Sequence, residues 1–220
     1  MIAVSLVLLW RLTLSDAGAV AATPRGSSAR PDAPLPDHPL PLTGVAIKGS
    51  PKAKVAIIEF SDFECSYCGR FARETLPEID RRYISTGQVL LAFKHLPIER
   101  IHRNAVNAAV SAECAGLDGK FWEMHDRLFQ HQSLLDPKSL YVHAQAIGLD
   151  AARFARCLDT DFAPKIRSEG SQARELKVSA TPTFLIGVVE NAGVRVRHRL
   201  TGALPLQDFV EVLENLLRSR

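Results

Sequence analysis

Apolar positions fall in two rhythms along the chain. Residues 55–60 (VAIIEF) form an almost unbroken apolar run, the pattern of a strand buried on both faces, with Glu59 its odd polar member. Residues 89–94 (VLLAFK) repeat that pattern. Between the two runs Phe71, Leu76 and Ile79 recur at helical spacing, Pro77 is expected to kink or break that helix, and Gly87 closes the segment. Strand, helix, strand in this order predicts a right-handed βαβ unit on a mostly parallel sheet. Residues 45–48 supply a further short strand, followed by a turn at Gly49-Ser50-Pro51.

The second rhythm is helical. Residues 104–115 are alanine-rich, and 120–130 carry Phe121, Trp122, Met124, Leu128 and Phe129 as a packing face. Further helices are expected over 139–147, 151–158 and 162–176, separated by Asp136-Pro137, Gly148-Leu149-Asp150 and Asp159-Thr160-Asp161. So long a stretch without a strand pattern reads as a helical insertion beside the sheet. Strand patterns return at 183–188 and 194–200, and Asn191 and Gly193 between them suit an antiparallel hairpin. Residues 204–217 close the chain as an amphipathic helix with Phe209, Leu213, Leu216 and Leu217 on one side. The order predicts an α/β sheet with antiparallel strands at one side.

A chain of 220 residues with 46% apolar content can bury one main core. Its net charge of +3 is scattered, without the basic stripe of a nucleic-acid binder, so no nucleic-acid partner is expected. Residues 1–21 are apolar as far as Trp10, interrupted by Arg11 and Asp16, and end in small residues suited to signal cleavage. They read as a signal peptide or membrane-anchor segment, with a disordered cytosolic tail as a third reading. Residues 22–43 hold Pro24, Pro31, Pro34, Pro36, Pro39 and Pro41 and read as a disordered proline-rich linker, either a tether or a plain leader. The folded domain is expected over 44–220, with its helical insertion at about 101–177.

Cys65-Ser66-Tyr67-Cys68 follows directly on the first buried strand, where strand hands over to helix. Two thiols at this spacing form a reversible dithiol/disulfide pair if one is an accessible thiolate and the other can resolve a mixed disulfide. Cys65 at the helix start would face unpaired backbone N–H groups, which with the helix dipole lower its pKa and make it the attacking sulfur. Cys68, one turn further and more buried, would be the resolving thiol. Ser66 and Tyr67 set how many donors reach Cys65, and Glu64 would oppose a thiolate if it pointed inward.

Other residues leave alternatives open. Glu59 is either a proton relay for Cys68 or a residue on a strand face reached by water. Cys114 and Cys157 have three readings: a disulfide pinning the insertion, two inert thiols, or a four-cysteine zinc site with Cys65 and Cys68. Thr181-Pro182-Thr183 enters a strand through a proline. A cis bond there would expose the Thr181 backbone to an extended peptide, and a plain trans turn is the alternative. The 7 histidines show no metal-binding spacing, and neither a metal nor a cofactor is expected. His95 and His102 flank Pro97 and either face the site or serve as caps and surface. Ser61 serves the turn before the helix.

The run Phe60-Ser61-Asp62-Phe63-Glu64-Cys65-Ser66-Tyr67-Cys68-Gly69-Arg70-Phe71, together with Thr181-Pro182-Thr183-Phe184, resembles the DsbA-like thioredoxin proteins of bacteria. The nearest likeness is to their extracytoplasmic, often membrane-tethered branch. It extends over about 44–217 and includes Phe121-Trp122-Glu123-Met124-His125. The resemblance implies a thioredoxin fold with an inserted α-helical domain, Cys65 as nucleophile and Cys68 as resolving thiol. It implies that Pro182 is a cis-proline against the redox pair and that Thr181 binds substrate backbone, with Ser66 and Tyr67 alongside. Glu59 falls where thioredoxin-like proteins place a buried acid, and Cys114 with Cys157 is similar to a second, non-catalytic disulfide of some members. Tyr67 departs from the histidine of the family's best-known oxidase, which leaves the redox direction open.

Together these features point to a thiol-disulfide oxidoreductase acting on protein thiols and forming disulfides in exported proteins. Its expected partners are unfolded or partly folded exported proteins in the periplasm or cell envelope, and a membrane or small-molecule redox partner that resets the dithiol. A monomer is expected, with an N-terminal membrane tether if residues 1–21 stay attached. The alternatives are a protein-disulfide reductase or isomerase, and a non-catalytic peptide-binding or chaperone module whose cysteines form an inert disulfide.

Overall fold

The computed structural model describes residues 34–159, 162–191 and 193–219. The signal or anchor segment expected at 1–21 and most of the proline-rich linker lie outside the described residues, as do Thr160, Asp161 and Ala192 of two expected turns. Five strands, β1 (Ala46–Lys48), β2 (Val55–Ser61), β3 (Val89–His95), β4 (Thr183–Glu190) and β5 (Gly193–Thr201), form one sheet in the order β1-β3-β2-β4-β5. β2 and β3 pair in parallel, and each other neighbouring pair is antiparallel. The expected mostly parallel sheet is thus corrected to a mixed one with antiparallel strands on both sides. Its cause lies in the connections. β2 and β3 are joined by a crossover helix, whereas β4 re-enters after the insertion in the opposite sense and turns straight back into β5.

Every residue of β2 and β3 is buried, because both faces of the sheet are covered. On one face Val55, Ile57, Val89, Leu91, Phe184 and Ile186 pack against Phe71 and Ile79 of the crossover and Phe209 and Leu213 of the C-terminal helix. On the other face Ile58, Phe60, Leu90 and Leu185 meet Ala173 and Leu176 at the end of the insertion. Each fully buried aliphatic or aromatic side chain of this kind contributes roughly 1.5–3 kcal/mol.

The crossover runs through α1 (Ser66–Arg70) and α2 (Leu76–Ile79), joined by a wide turn at Phe71–Thr75 and followed by another at Asp80–Ile84. Pro77 does not break it. The turn just before Pro77 widens to π geometry, with the Leu76 amide bonded to the Phe71 carbonyl, which accommodates a residue that has no N–H and a bulky ring.

The insertion comprises α3 (Ala105–Leu117), α4 (Phe121–Gln130), α5 (Pro137–Ala146), α6 (Ala151–Leu158) and α7 (Ala163–Glu175), and α8 (Leu206–Arg218) ends the chain. Asp136 and Asp150 cap α5 and α6 by accepting backbone amides of Lys138, Ser139 and Arg153, each cap contributing about 1 kcal/mol. Cys114 of α3 and Cys157 of α6 are bonded to each other with S–S 2.02 Å, which excludes the four-cysteine zinc arrangement. Closing a loop of that length contributes about 2–4 kcal/mol.

The linker expected over 22–43 gives way to folded structure before residue 44. Leu40 is buried and exchanges two backbone hydrogen bonds with Val194, at 2.9 and 2.8 Å. Pro39 and Pro41 cannot donate, but Leu40 between them keeps its amide and pairs at the sheet edge. The approach is close enough that a Cβ on Gly193 would lie 2.2 Å from the Leu40 carbonyl oxygen.

Candidate active site

The C-terminal end of β2 delivers a tight turn, Asp62 to Cys65, onto the start of α1. Its organiser is the buried Asp62 carboxylate. One oxygen accepts the Glu64 amide at 2.8 Å, and the other accepts the Ile98 amide at 2.7 Å and binds His102 Nδ1 at 2.8 Å. The turn is thereby fastened to the loop after β3. Glu64 does not point at the thiols: its carboxylate accepts the Asn104 amide at 2.7 Å. His102 therefore serves the turn. His95 sits further in, where its Nε2 pairs with Glu113 at 2.9 Å and its backbone amide bonds Glu169 at 2.7 Å.

Phe63, inside the turn, is the hinge between redox segment and insertion. Its ring lies 5.2 Å from Phe93, 4.9 Å from Phe129 and 6.0 Å from the imidazole of His125, so sheet and helices share one aromatic cluster beneath Cys65. Such contacts contribute about 0.5–1.5 kcal/mol each beyond area burial. The insertion also reaches the turn through Gln132, which donates to the Phe63 and Cys65 carbonyls.

Cys65 is the N-cap residue of α1 and Cys68 lies in its first turn. Both sulfurs are reduced and buried, Cys65 with 6% of its surface exposed and Cys68 with none. Ser66 and Tyr67 between them are exposed, and the Arg70 guanidinium stands 5.3 Å from the Tyr67 ring. From the far side, Cys65 Sγ donates to the Thr181 carbonyl at 3.5 Å, and the Thr181–Pro182 bond is cis. Residues far apart in sequence thus meet at one sulfur.

The electrostatics separate the two thiols. A hydrogen bond from Cys68 is the main influence bringing the Cys65 pKa down to about 5, against the opposing effect of burial and with help from Thr181 and the amides of Cys68 and Tyr67. The sequence pointed to the amides and the helix dipole, and the structure ranks the neighbouring thiol ahead of them. Burial and the Cys65 thiolate push the Cys68 thiol well above the ordinary cysteine range, with a further upward push from Glu59.

Glu59 is fully buried. Its cross-strand neighbours are Phe93 and Phe184, and neither carboxyl oxygen has a hydrogen-bond partner among the described residues. Burial raises its pKa to about 8, with partial relief from the nearby Ser61 hydroxyl. The reading of Glu59 as a residue on a water-reached strand face does not survive this placement.

Sequence reasoning gave Asp62 and Gln132 no role. Asp62 had a local signal, an Asx turn two residues ahead of Glu64. Gln132 had none, being far from the cysteines in sequence. Gly69, a glycine inside a helix, was the indirect sign that something packs close against α1.

The thioredoxin family profile matches residues 43–196, and the chain belongs to that family. Its fold is that of the DsbA-like thioredoxin oxidoreductases, with the α-helical insertion between the two halves of the sheet, and thiol-disulfide oxidoreduction is the activity class that accompanies it. Among solved structures, alpha-DsbA1 of Wolbachia pipientis is 26% identical and superposes with a TM-score of 0.72, covering 81% of this chain and 93% of that one. Oxidised BdbD from Bacillus subtilis has the same fold at 22% identity and a TM-score of 0.69, covering 82% and 97%. Similar curated sequences include Na(+)/H(+) antiporter NhaA 3 of Salinispora tropica, 37% identical over 64% of this chain and 21% of that protein. NhaA 1 of Mycobacterium sp. (strain KMS) is 32% identical over 74% and 25%. The chain therefore spans a quarter or less of those relatives' length, and among the described residues no helix is long and apolar enough to cross a membrane.

Proposed function

We propose that this chain transfers disulfides to protein thiols outside the cytoplasm, with Cys65 as the sulfur that meets substrate. The carrying observation is the split between the pair: Cys65, which keeps 6% of its surface exposed, is held near pKa 5, and Cys68, with none exposed, is held far above it. A substrate thiolate attacks Cys65 of the Cys65–Cys68 disulfide, forming a mixed disulfide and releasing Cys68 as a thiolate. That thiolate takes a proton from Glu59, which is protonated at neutral pH. A second substrate thiol loses its proton to solvent, and its thiolate displaces Cys65. The substrate leaves oxidised by two electrons and the enzyme reduced. To reset, the Cys65 thiolate attacks a disulfide on a membrane or small-molecule oxidant, and Cys68 resolves the product while returning its proton to Glu59.

Magnitudes support this direction. Lowering a thiol from ~8.5 to about 5 raises its ionised fraction at pH 7 roughly thirtyfold, but nucleophilicity falls by a comparable factor at a Brønsted slope of ~0.4–0.5. Attack gains almost nothing. What improves is Cys65 as a leaving group and the stability of the reduced state, and both favour handing a disulfide away. Thr181 supplies backbone for an extended substrate segment beside Pro182, and exposed Ser66 and Tyr67 flank the landing site. Antiport is a property of the named relatives and is not carried over to this chain.

A Cys68→Ser variant tests the proposal. Mixed with oxidised protein partners it is expected to accumulate a covalent adduct at Cys65 that dithiothreitol releases. An adduct-free variant alongside a wild type that still binds peptides favours the non-catalytic peptide-binding module.

A further inference from the structure

Gln132, in the turn after α4, grips the redox turn from the side of the insertion. Its Nε2 donates to the Phe63 carbonyl at 2.8 Å and the Cys65 carbonyl at 2.9 Å, while its Oε1 accepts from Arg73 Nη1 at 3.2 Å. A side-chain amide suits both sides at once, with two acceptors facing its NH₂ group and a cation facing its oxygen. Arg73 is itself fixed by donating to the Phe129 carbonyl at 2.6 Å. Gly69 makes the space. A Cβ there would lie 2.0 Å from Gln132 Oε1 and 2.6 Å from Arg73 Nη1. Glycine weakens a helix interior relative to alanine, so this close approach is the compensating feature at that position.

α1 begins without a side-chain cap. The carbonyl of its N-cap residue, Cys65, is oriented by the Gly69 amide at 3.0 Å and by Gln132. We infer that Gln132 is a positioning residue for the Cys65 thiolate: by clamping the Phe63 and Cys65 carbonyls it aims the Tyr67 and Cys68 amides at Sγ, so the helical insertion tunes the redox pair. The inference rests on Cys65 being the attacking thiolate. Amides aimed at Sγ bind an anion far better than a thiol or a disulfide sulfur, so the clamp favours the reduced, ionised form selectively.

The test is titration of Cys65 by thiolate ultraviolet absorbance in reduced wild type, Gln132→Met, Gly69→Ala and the double variant. Methionine fills the space without donors. Its Cys65 pKa is expected to rise by about half to one unit, the size of one lost neutral hydrogen bond. Gly69→Ala, whose methyl displaces Gln132, is expected to rise equally, and the double variant no further, because both changes remove the same interaction. The equilibrium with glutathione shifts toward the disulfide by about three- to tenfold, the same change expressed as a ratio. A lower melting temperature with an unmoved Cys65 pKa reduces Gln132 to a packing residue and overturns the inference. Should Gln132→Met fail to fold, Gly69→Ala carries the same expectation, since alanine is otherwise the better helix former. A wild type with no acidic thiolate at Cys65 overturns the reading of Cys65 instead, so the two failures are told apart.

Discussion

Serine in place of Cys65 is expected to bring disulfide transfer down to the uncatalysed background and to abolish rapid alkylation of the native, reduced protein. Two features of the site make the loss complete. A serine oxygen cannot carry a disulfide, and the remaining thiol, Cys68, is fully buried with its pKa held up by desolvation. In wild type the alkylation rate should follow the Cys65 thiolate, rising with pH through about 5 and flat by neutrality. Free cysteine reaches its midpoint only at ~8.5. The reduced protein carries the same signature in its stability. Because the folded pKa of Cys65 lies below the unfolded one, folding gains from the ionised thiolate above the unfolded pKa and loses that gain as pH falls through about 5. Iodoacetamide kinetics across that range give the measurement. A midpoint near 8.5 would contradict the stabilised thiolate.

Glutamine at position 59 is expected to stabilise the protein while slowing exchange. Glu59 lies between Phe93 and Phe184 with neither oxygen hydrogen-bonded, so its folded pKa of about 8 lies above its unfolded value. A raised carboxyl pKa means that the wild type loses stability as pH climbs from ~4.3, the unfolded value, to about 8. Glu59→Gln has nothing to ionise there, so its advantage should grow across that window to roughly 5 kcal/mol and stay constant above it. Denaturant unfolding of the oxidised proteins isolates this effect, because the Cys65–Cys68 disulfide removes both thiol titrations. The same variant has no proton to give to departing Cys68, and transfer should slow on the order of a hundredfold, the usual contribution of one general acid. A stability difference that ignores pH would show that water or a partner reaches Glu59.

Much of the fold was legible where local chemistry decides. The runs at 55–60 and 89–94 are strands because every position is buried, and Asn191 and Gly193 correctly marked the return from β4 to β5. The antiparallel pairings of β1 with β3 and of β4 with β2 were hidden, since an apolar run reports burial on two faces and says nothing of which way a neighbour runs. Pro77 marked where the regular helix is interrupted but not how: propensity sees the missing N–H and not the wide turn that absorbs it. At the site, the thiols and Glu59 stood out by residue type and spacing. The reason Glu59 is neutral did not, because it depends on the register that sets it opposite Phe93 and Phe184. Leu40 and Gln132 act wholly through partners distant in sequence, Val194 for one and the Cys65 carbonyl for the other, and no local pattern marks them.

Equilibration of the Cys65–Cys68 pair against defined glutathione ratios measures directly whether the thiolate split makes this site an oxidant. A potential near the oxidising end of the thioredoxin range, about −120 mV, is the predicted result. A value near about −270 mV, that of a dedicated reductant, would contradict it and assign the site to reduction.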